Sequence, residues 1–151
     1  RHARDNALPN ANGSIIWSLS RLAALTGHQH YARQADALAE SFWLHTEKEF
    51  PQMTSSLSGF LRHQHAISCV VTGQPEDETM LALLSAVRQH PHPGLIIQPV
   101  YETNTITSAH PAYEYLTAKQ TPVAQAYLCL KDKCLPPIDS PDVVIEKLDH
   151  L

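Results

Sequence analysis

Ile67-Ser68-Cys69-Val70-Val71-Thr72-Gly73 is a short apolar, β-branched run closed by glycine, and Leu95-Ile96-Ile97-Gln98-Pro99-Val100 is a second such run. Both read as strands. Between them Gln74-Pro75-Glu76-Asp77-Glu78 has the signs of a helix start, with proline at the first position and acids in the first turn, where the helix dipole favours them. Met80, Leu83, Leu84 and Val87 then give one apolar helical face, and His90-Pro91-His92-Pro93-Gly94 stops it. Strand, helix, strand over this span is a βαβ unit, so the two strands are expected to be parallel. Downstream, Val123 to Leu130 reads as a third strand beside them. Ser140-Pro141-Asp142 is a capped start for a last helix with Val144, Leu148 and Leu151 on one face. The stretch from Tyr101 to Gln120 is ambiguous, with a short helix somewhere in Pro111 to Ala118.

Upstream the period changes to that of helices. The polar loop Asp5 to Ser14 runs into Ile15-Ile16-Trp17-Ser18-Leu19-Ser20-Arg21-Leu22-Ala23-Ala24-Leu25-Thr26-Gly27. Asn12 reads as the N-cap, Ile15, Leu19, Leu22 and Ala23 as the buried stripe, and Gly27 as the stop. Tyr31, Ala35, Leu38 and Phe42 carry a second helix that frays before Phe50-Pro51. The short Gly27-His28-Gln29 turn makes the two an antiparallel hairpin. A third helix follows Pro51, with Met53, Leu57, Phe60 and Leu61 inward and Thr54 or Ser55 as cap. The expected fold is α+β: a helical region over 1–65, then a small, three-stranded, mainly parallel α/β segment with a C-terminal helix over 66–151.

Composition narrows the function classes. The chain has 151 residues, 43% of them apolar, and a formal charge of −4. That charge does not attract a phosphate backbone, so nucleic acid is not an expected partner. No apolar run approaches the roughly 18 residues of a membrane span. Three cysteines, an odd count, point to a reducing, cytoplasmic setting rather than a secreted disulfide scaffold. There are ten histidines; protonating all of them would add ten charges and carry the balance from −4 to +6.

Two groups of residues carry candidate chemistry. Asp5, Asn10, Asn12 and Ser14 place amides, a carboxylate and a hydroxyl at the mouth of the first helix, where unpaired N–H groups also gather. That suits a small polar ligand such as a sugar; the same residues also suit capping and loop closure. Cys129 and Cys134 flank Lys131 and Lys133, cations that lower a thiol's pKa. They read either as a redox pair or as a structural contact, whether free thiols or a loop-closing disulfide. The pairs His28/His30, His63/His65 and His90/His92 lie on helices or turns, where i and i+2 do not converge on one metal. They are read as exposed histidines at helix C-termini, and no metal or other cofactor is expected. No pair of carboxylates is placed for glycosidase work, and neither Gly-x-Ser-x-Gly nor a phosphate loop occurs. No catalytic group is assigned.

Asp5-x-Ala7-x-Pro9-x-x-Asn12 ahead of Arg21-Leu22-Ala23-x-Leu25-Thr26-Gly27 and Tyr31, with Ala126-Tyr127-Leu128-Cys129 and Cys134-Leu135-Pro136-Pro137 near the end, form a recognisable set. Together they resemble the C-terminal end of the YyaL-type proteins, the family related to the spermatogenesis-associated thioredoxin-like protein. Members usually carry Pro-Ser-Gly-Asn-Ser where this chain has Pro9-Asn10-Ala11-Asn12-Gly13. The resemblance implies a longer parent, with a thioredoxin-like domain followed by an alpha/alpha toroid of the six-hairpin glycosidase type. This chain would then hold the last hairpin of the toroid and a terminal α/β segment. Two functions follow as expectations. Asp5, Asn10 and Asn12 would line the toroid cavity and bind a sugar. Alternatively, the segment docks on the thioredoxin-like domain with Cys129 and Cys134 as a redox pair. The chain by itself is expected to self-associate through helix faces that other hairpins would cover.

Overall fold

A computed structural model describes residues 5, 10–49, 52–102, 105–118 and 123–151, with side chains described outside 43–49. Residues Ala7, Pro9, Phe50 and Pro51, which the sequence reading used, lie outside the described set. The fold is α+β. Three helices come first: α1 (Ala11–Thr26), α2 (Gln29–Glu49) and α3 (Thr54–Gln64). Then follow β1 (Ile67–Thr72), α4 (Glu78–Gln89), β2 (Leu95–Val100), α5 (Tyr113–Thr117), β3 (Gln125–Leu130), β4 (Lys133–Cys134) and α6 (Pro141–Asp149).

The sheet has four strands in the order β2-β1-β3-β4, one more than expected. β1 and β2 are parallel, with Ile67 opposite Leu95 and Thr72 opposite Val100. β3 is antiparallel to β1, with Cys69 opposite Leu128, and β4 is antiparallel to β3. The sheet is therefore mixed, not mainly parallel. The cause is the connection out of β2. Thr72 is registered with both Val100 and Gln125, so β3 begins at the end of the sheet where β2 finishes. A chain that never returns to the opposite end can only run back antiparallel.

Every residue of β1 is buried, because both faces of the sheet are covered. On one face Ile67, Cys69, Val71, Ala126 and Leu128 pack with Met80, Leu83 and Val87 of α4 and Val144 and Leu148 of α6. On the other, Val70, Tyr127 and Cys129 pack with Ile106 and with Leu116 of α5. Helix α4 starts on Asp77, whose carboxylate accepts from the N–H groups of Thr79 and Met80.

In the helical layer α1 packs on both α2 and α3. Gly27 ends α1 as expected, left-handed at φ 71° with its N–H on Ala23 O at 2.8 Å. The buried stripe is only in part the expected one: Leu19 packs against Ile16, Ala35 and Ala39 as expected. Gly13, Ile16 and Ser20 face inward, while Ile15 and Leu22 are exposed. On α3 the same thing happens: Ser56 and Gly59 are buried and Leu61 is exposed. Two helices that approach this closely put small residues at the contact and turn larger apolar ones away.

Candidate functional site

The polar loop at the mouth of α1 is tied to the protein itself. The N-cap is Asn10, not Asn12: Asn10 takes an extended conformation and its Oδ1 accepts from the Asn12 N–H at 2.8 Å. The helix thus begins one turn-half earlier than the apolar pattern shows. The Asn12 side-chain amide also donates to Asn10 Oδ1, at 2.5 Å. Asp5 accepts from the Asn10 N–H at 2.8 Å, the Ser55 N–H at 2.9 Å and the Thr54 hydroxyl at 2.9 Å. It is therefore the cap of α3, supplied from some fifty residues away, where Met53 has no capping side chain. Ser14 is exposed on the first turns of α1.

These bonds, the Ser55 N–H foremost, hold the Asp5 carboxyl at about 2, below its ordinary 3.8, against the opposing pull of burial. The stability Asp5 contributes is complete above pH 3.8 and is lost as pH falls through about 2. Asp5→Ala is expected to lower stability at pH 7 by about 1–2 kcal/mol, the usual range for a lost cap. Urea unfolding at pH 7 and pH 2 checks this: the deficit must shrink at the lower pH, and an equal deficit at both excludes the carboxylate as its source.

A large opening lies elsewhere, between the helical layer and the sheet. It is a cleft of about 1340 Å³. Ala24 of α1, Ala32 and Ala39 of α2 and Phe60 of α3 line its helical side, with Ser68 of β1 and Pro111 across from them. At one margin stands the β3–β4 hairpin, through Cys129, Leu130, Lys131 and Asp132. The carboxylates Asp36, Glu40 and Asp132 outnumber the single ammonium of Lys131 along it. Asp5, Asn10, Asn12 and Ser14 are not among its lining residues.

Three polar side chains of the cleft form a chain across the three helices. His63 Nδ1 of α3 lies 2.7 Å from Ser20 Oγ of α1, and His63 Nε2 lies 2.8 Å from Asp36 Oδ1 of α2. The residue types are those of a hydrolytic triad, but the exposure runs backwards. Ser20 is 3% exposed, the His63 side chain 14% and the Asp36 side chain 62%. A nucleophile must be the accessible member. Moreover, Ser20 lies mid-helix with its hydroxyl on Ile16 O at 2.7 Å, and neighbouring N–H groups are spent inside α1. No oxyanion site can form there. The chain of bonds staples α1, α2 and α3 together and orients the cleft wall. Its members are up to 43 residues apart, so no local motif announced them.

Cys129 and Cys134 are joined as a disulfide. They are directly opposite in the β3–β4 register. The Leu135 N–H donates to Leu128 O at 2.8 Å, so the cysteines fall at the intervening position without hydrogen bonds, where facing side chains come closest. Lys131 opens the turn between them in the left-handed region, at φ 54°. Cys129 is buried against Tyr127 and Val70, and Cys134 is half-buried. The third thiol, Cys69, lies within the sheet core, and burial pushes it up to about 12.

Of the six paired histidines, His28, His30 and His65 are exposed as expected, and His63, His90 and His92 are partly covered. His63 and His90 have side chains that are mostly covered. His90 Nδ1 accepts from the His92 N–H at 3.3 Å while its Nε2 reaches Asp149 at 3.0 Å. Burial, then the neighbouring His90 and His65, lower the pKa of His92. Among the described residues no cluster of three or more His, Cys, Asp or Glu side chains could hold a metal ion, and no helix is long and apolar enough to cross a membrane. No family model, no curated protein and no solved structure matches the chain.

Proposed function

We propose that this chain is a docking module whose Cys129–Cys134 cystine exchanges with the dithiol of a thioredoxin-like domain, in the setting that its resemblance to YyaL-type proteins implies. One observation carries the reading: Cys129 and the turn that follows it line the cleft described above, so a loop that enters the cleft reaches the Cys129 end of the bond. The sheet is also held by strand pairing apart from the bond. The span of the bond is five residues, and closing so short a loop contributes roughly 2 kcal/mol. Reduction would free the hairpin tip without opening the sheet.

The exchange balances as follows. A partner thiolate attacks Sγ of Cys134, the less buried of the two residues. The Sγ–Sγ bond breaks, and Cys129 Sγ leaves as a thiolate, eased by Lys131 and Lys133, and takes up a proton. The partner's second thiol loses its proton and attacks the mixed disulfide, releasing Cys134. The cystine gains two electrons and two protons, and the partner's dithiol becomes a disulfide. Ile15 and Leu22, two turns apart on the outer face of α1, are the surface that neighbouring hairpins of a toroid would cover.

The test is a trap. The oxidised chain is mixed with a thioredoxin whose second active-site cysteine is replaced by serine, and adducts are mapped by mass spectrometry. A one-to-one adduct through Cys134 is expected, absent in Cys129→Ser. Failure to form any adduct, or two thiols that stay alkylatable after oxidation, removes the redox reading.

A further inference from the structure

We propose that His110 is a proton-sensitive bolt between the helical layer and the sheet, and that acid opens the cleft by withdrawing it. The geometry begins with a turn this chain uses three times. In His90-Pro91-His92, His92-Pro93-Gly94 and His110-Pro111-Ala112, the imidazole Nδ1 of the first residue accepts the N–H of the third, at 3.3, 3.2 and 3.1 Å. The proline between them has no N–H, so the turn is closed by the ring. An accepting Nδ1 carries no proton, so the His110 ring is held neutral with its hydrogen on Nε2, facing Ala24 O. Protonation turns the acceptor into a donor aimed at another donor.

At His110 that reversal falls on a joint. Its Nε2 lies 2.9 Å from Ala24 O, on the last turn of α1, and 3.3 Å from Ser68 Oγ of β1. Thr107, in the same segment, donates its hydroxyl to Thr26 O of α1. Gly27 presses so close that a Cβ there would fall 2.1 Å from Ala109 O. The end of α1 therefore rests on the segment that His110 closes. Ala24, Ser68 and Pro111 all line the cleft, so this joint is its wall. From each packed element His110 meets an uncharged group: Ala24 O from α1, Ser68 Oγ from β1, and the Ala112 and Tyr113 N–H groups on the α5 side, the latter donating to His110 O. Among the described residues no carboxylate or ammonium contacts its ring, so nothing compensates a buried charge.

Burial lowers the pKa of His110, with the Ala24 carbonyl opposing. A histidine whose folded value lies below its ordinary 6.5 adds stability that is complete above 6.5 and is lost as pH falls below it. The joint is thus closed at neutral pH and loosens under mild acid. The consequence for exchange rests on the redox reading above; the joint itself does not.

The experiment is amide hydrogen exchange at pH 7.5 and 5.0, corrected for the intrinsic rate, on wild type and His110→Asn. Asparagine keeps an acceptor for the Ala112 N–H and does not titrate. In wild type, protection at Leu25–Gly27 and at Ala112 is expected to fall more than tenfold in acid, and in His110→Asn to stay level. A fall of the same size in both, or none in wild type, overturns the bolt. Should His110→Asn not fold, two-bond proton–nitrogen correlation on wild type decides: a charged ring, or one with hydrogen on Nδ1, at pH 6.5 overturns it as well. A phosphine reductant supplies the second arm, since its attack needs no partner thiolate. Reduction of Cys129–Cys134 is expected to quicken in acid in wild type and not in His110→Asn; equal acceleration in both counts against the open cleft. If these hold and the thioredoxin trap fails, the redox reading falls while the bolt stands.

Discussion

Gly59→Ala is expected to lower stability by about 2–3 kcal/mol, although alanine is the better helix former. The substitution adds a methyl to the interior of α3, where helix propensity alone would favour it by roughly 1 kcal/mol. Tertiary contact reverses the sign. A Cβ at Gly59 would stand 2.2 Å from Gly13 O and 2.7 Å from Gly13 Cα. Reciprocally, a Cβ at Gly13 would stand 1.9 Å from Ser55 O. Both obstacles are helical backbone, so no rotamer change relieves them and α1 and α3 must separate. Separation draws Ile16 and Met53 out of full burial and strains the Asp5 cap on α3 and the Ser20–His63–Asp36 staple. Urea unfolding checks the expectation, with Ser58→Ala on the exposed face of the same helix as control. A Gly59→Ala protein as stable as wild type would mean that the two helices do not meet at these glycines.

The same contact explains what the sequence could and could not tell. Strands β1 and β2 and helix α4 were legible because each is local: an apolar β-branched run, and a face of Met80, Leu83, Leu84 and Val87; the start of α4 was read three residues early, since Pro75 and Glu76 form a turn ahead of the Asp77 cap rather than the first turn of the helix. Gly27 was legible for the same reason, since a left-handed stop has a residue preference of its own. The buried face of α1 was only partly so, because hydrophobicity points to Ile15 and Leu22 while close packing selects Gly13, Ile16 and Ser20. Nor was the direction of β3, which depends on which end of the sheet the segment from 101 to 124 leaves by, a fact that no residue within β3 encodes. The two-residue strand β4 is too short to show a period. For the site, the nearness of Cys129 and Cys134 was visible in their spacing, but the place of Cys129 in a cleft between α1–α3 and the sheet was not. Asp5 stood out as polar, yet its partners Thr54 and Ser55 lie 49 and 50 residues on. The three His-Pro pairs were in plain view; what hid their role is that proline's missing N–H matters only once the ring of the residue before it is seen closing the turn.

Leu83→Ala is expected to cost about 3 kcal/mol, and the thiol of Cys69 provides its readout. Leu83 is fully buried on α4, in the cluster that joins Cys69 and Leu128 of the sheet to Val144 and Leu148 of α6. Truncation leaves a void between a helix and a sheet that are both held from behind: α4 by α6, and β1 by neighbours on either side. Collapse around the void is therefore incomplete, which places the cost inside the usual range rather than at its floor. Cys69 is inert in the native state, being wholly buried with its thiol pushed up to about 12. Alkylation must wait for the core to open. Its rate then follows the population of open molecules, and a loss of about 3 kcal/mol raises that population roughly 100-fold. Leu81 is the control, two residues away and 52% exposed. Leu81→Ala is expected to change stability by less than about 0.5 kcal/mol and to leave the alkylation rate nearly where it was. Equal rates in the two variants would mean that α4 does not present Leu83 to the sheet, and the face of the fold opposite the cleft would have to be rebuilt. A Cys69 that labels quickly in wild type would go further, because it would place the central strand itself within reach of solvent.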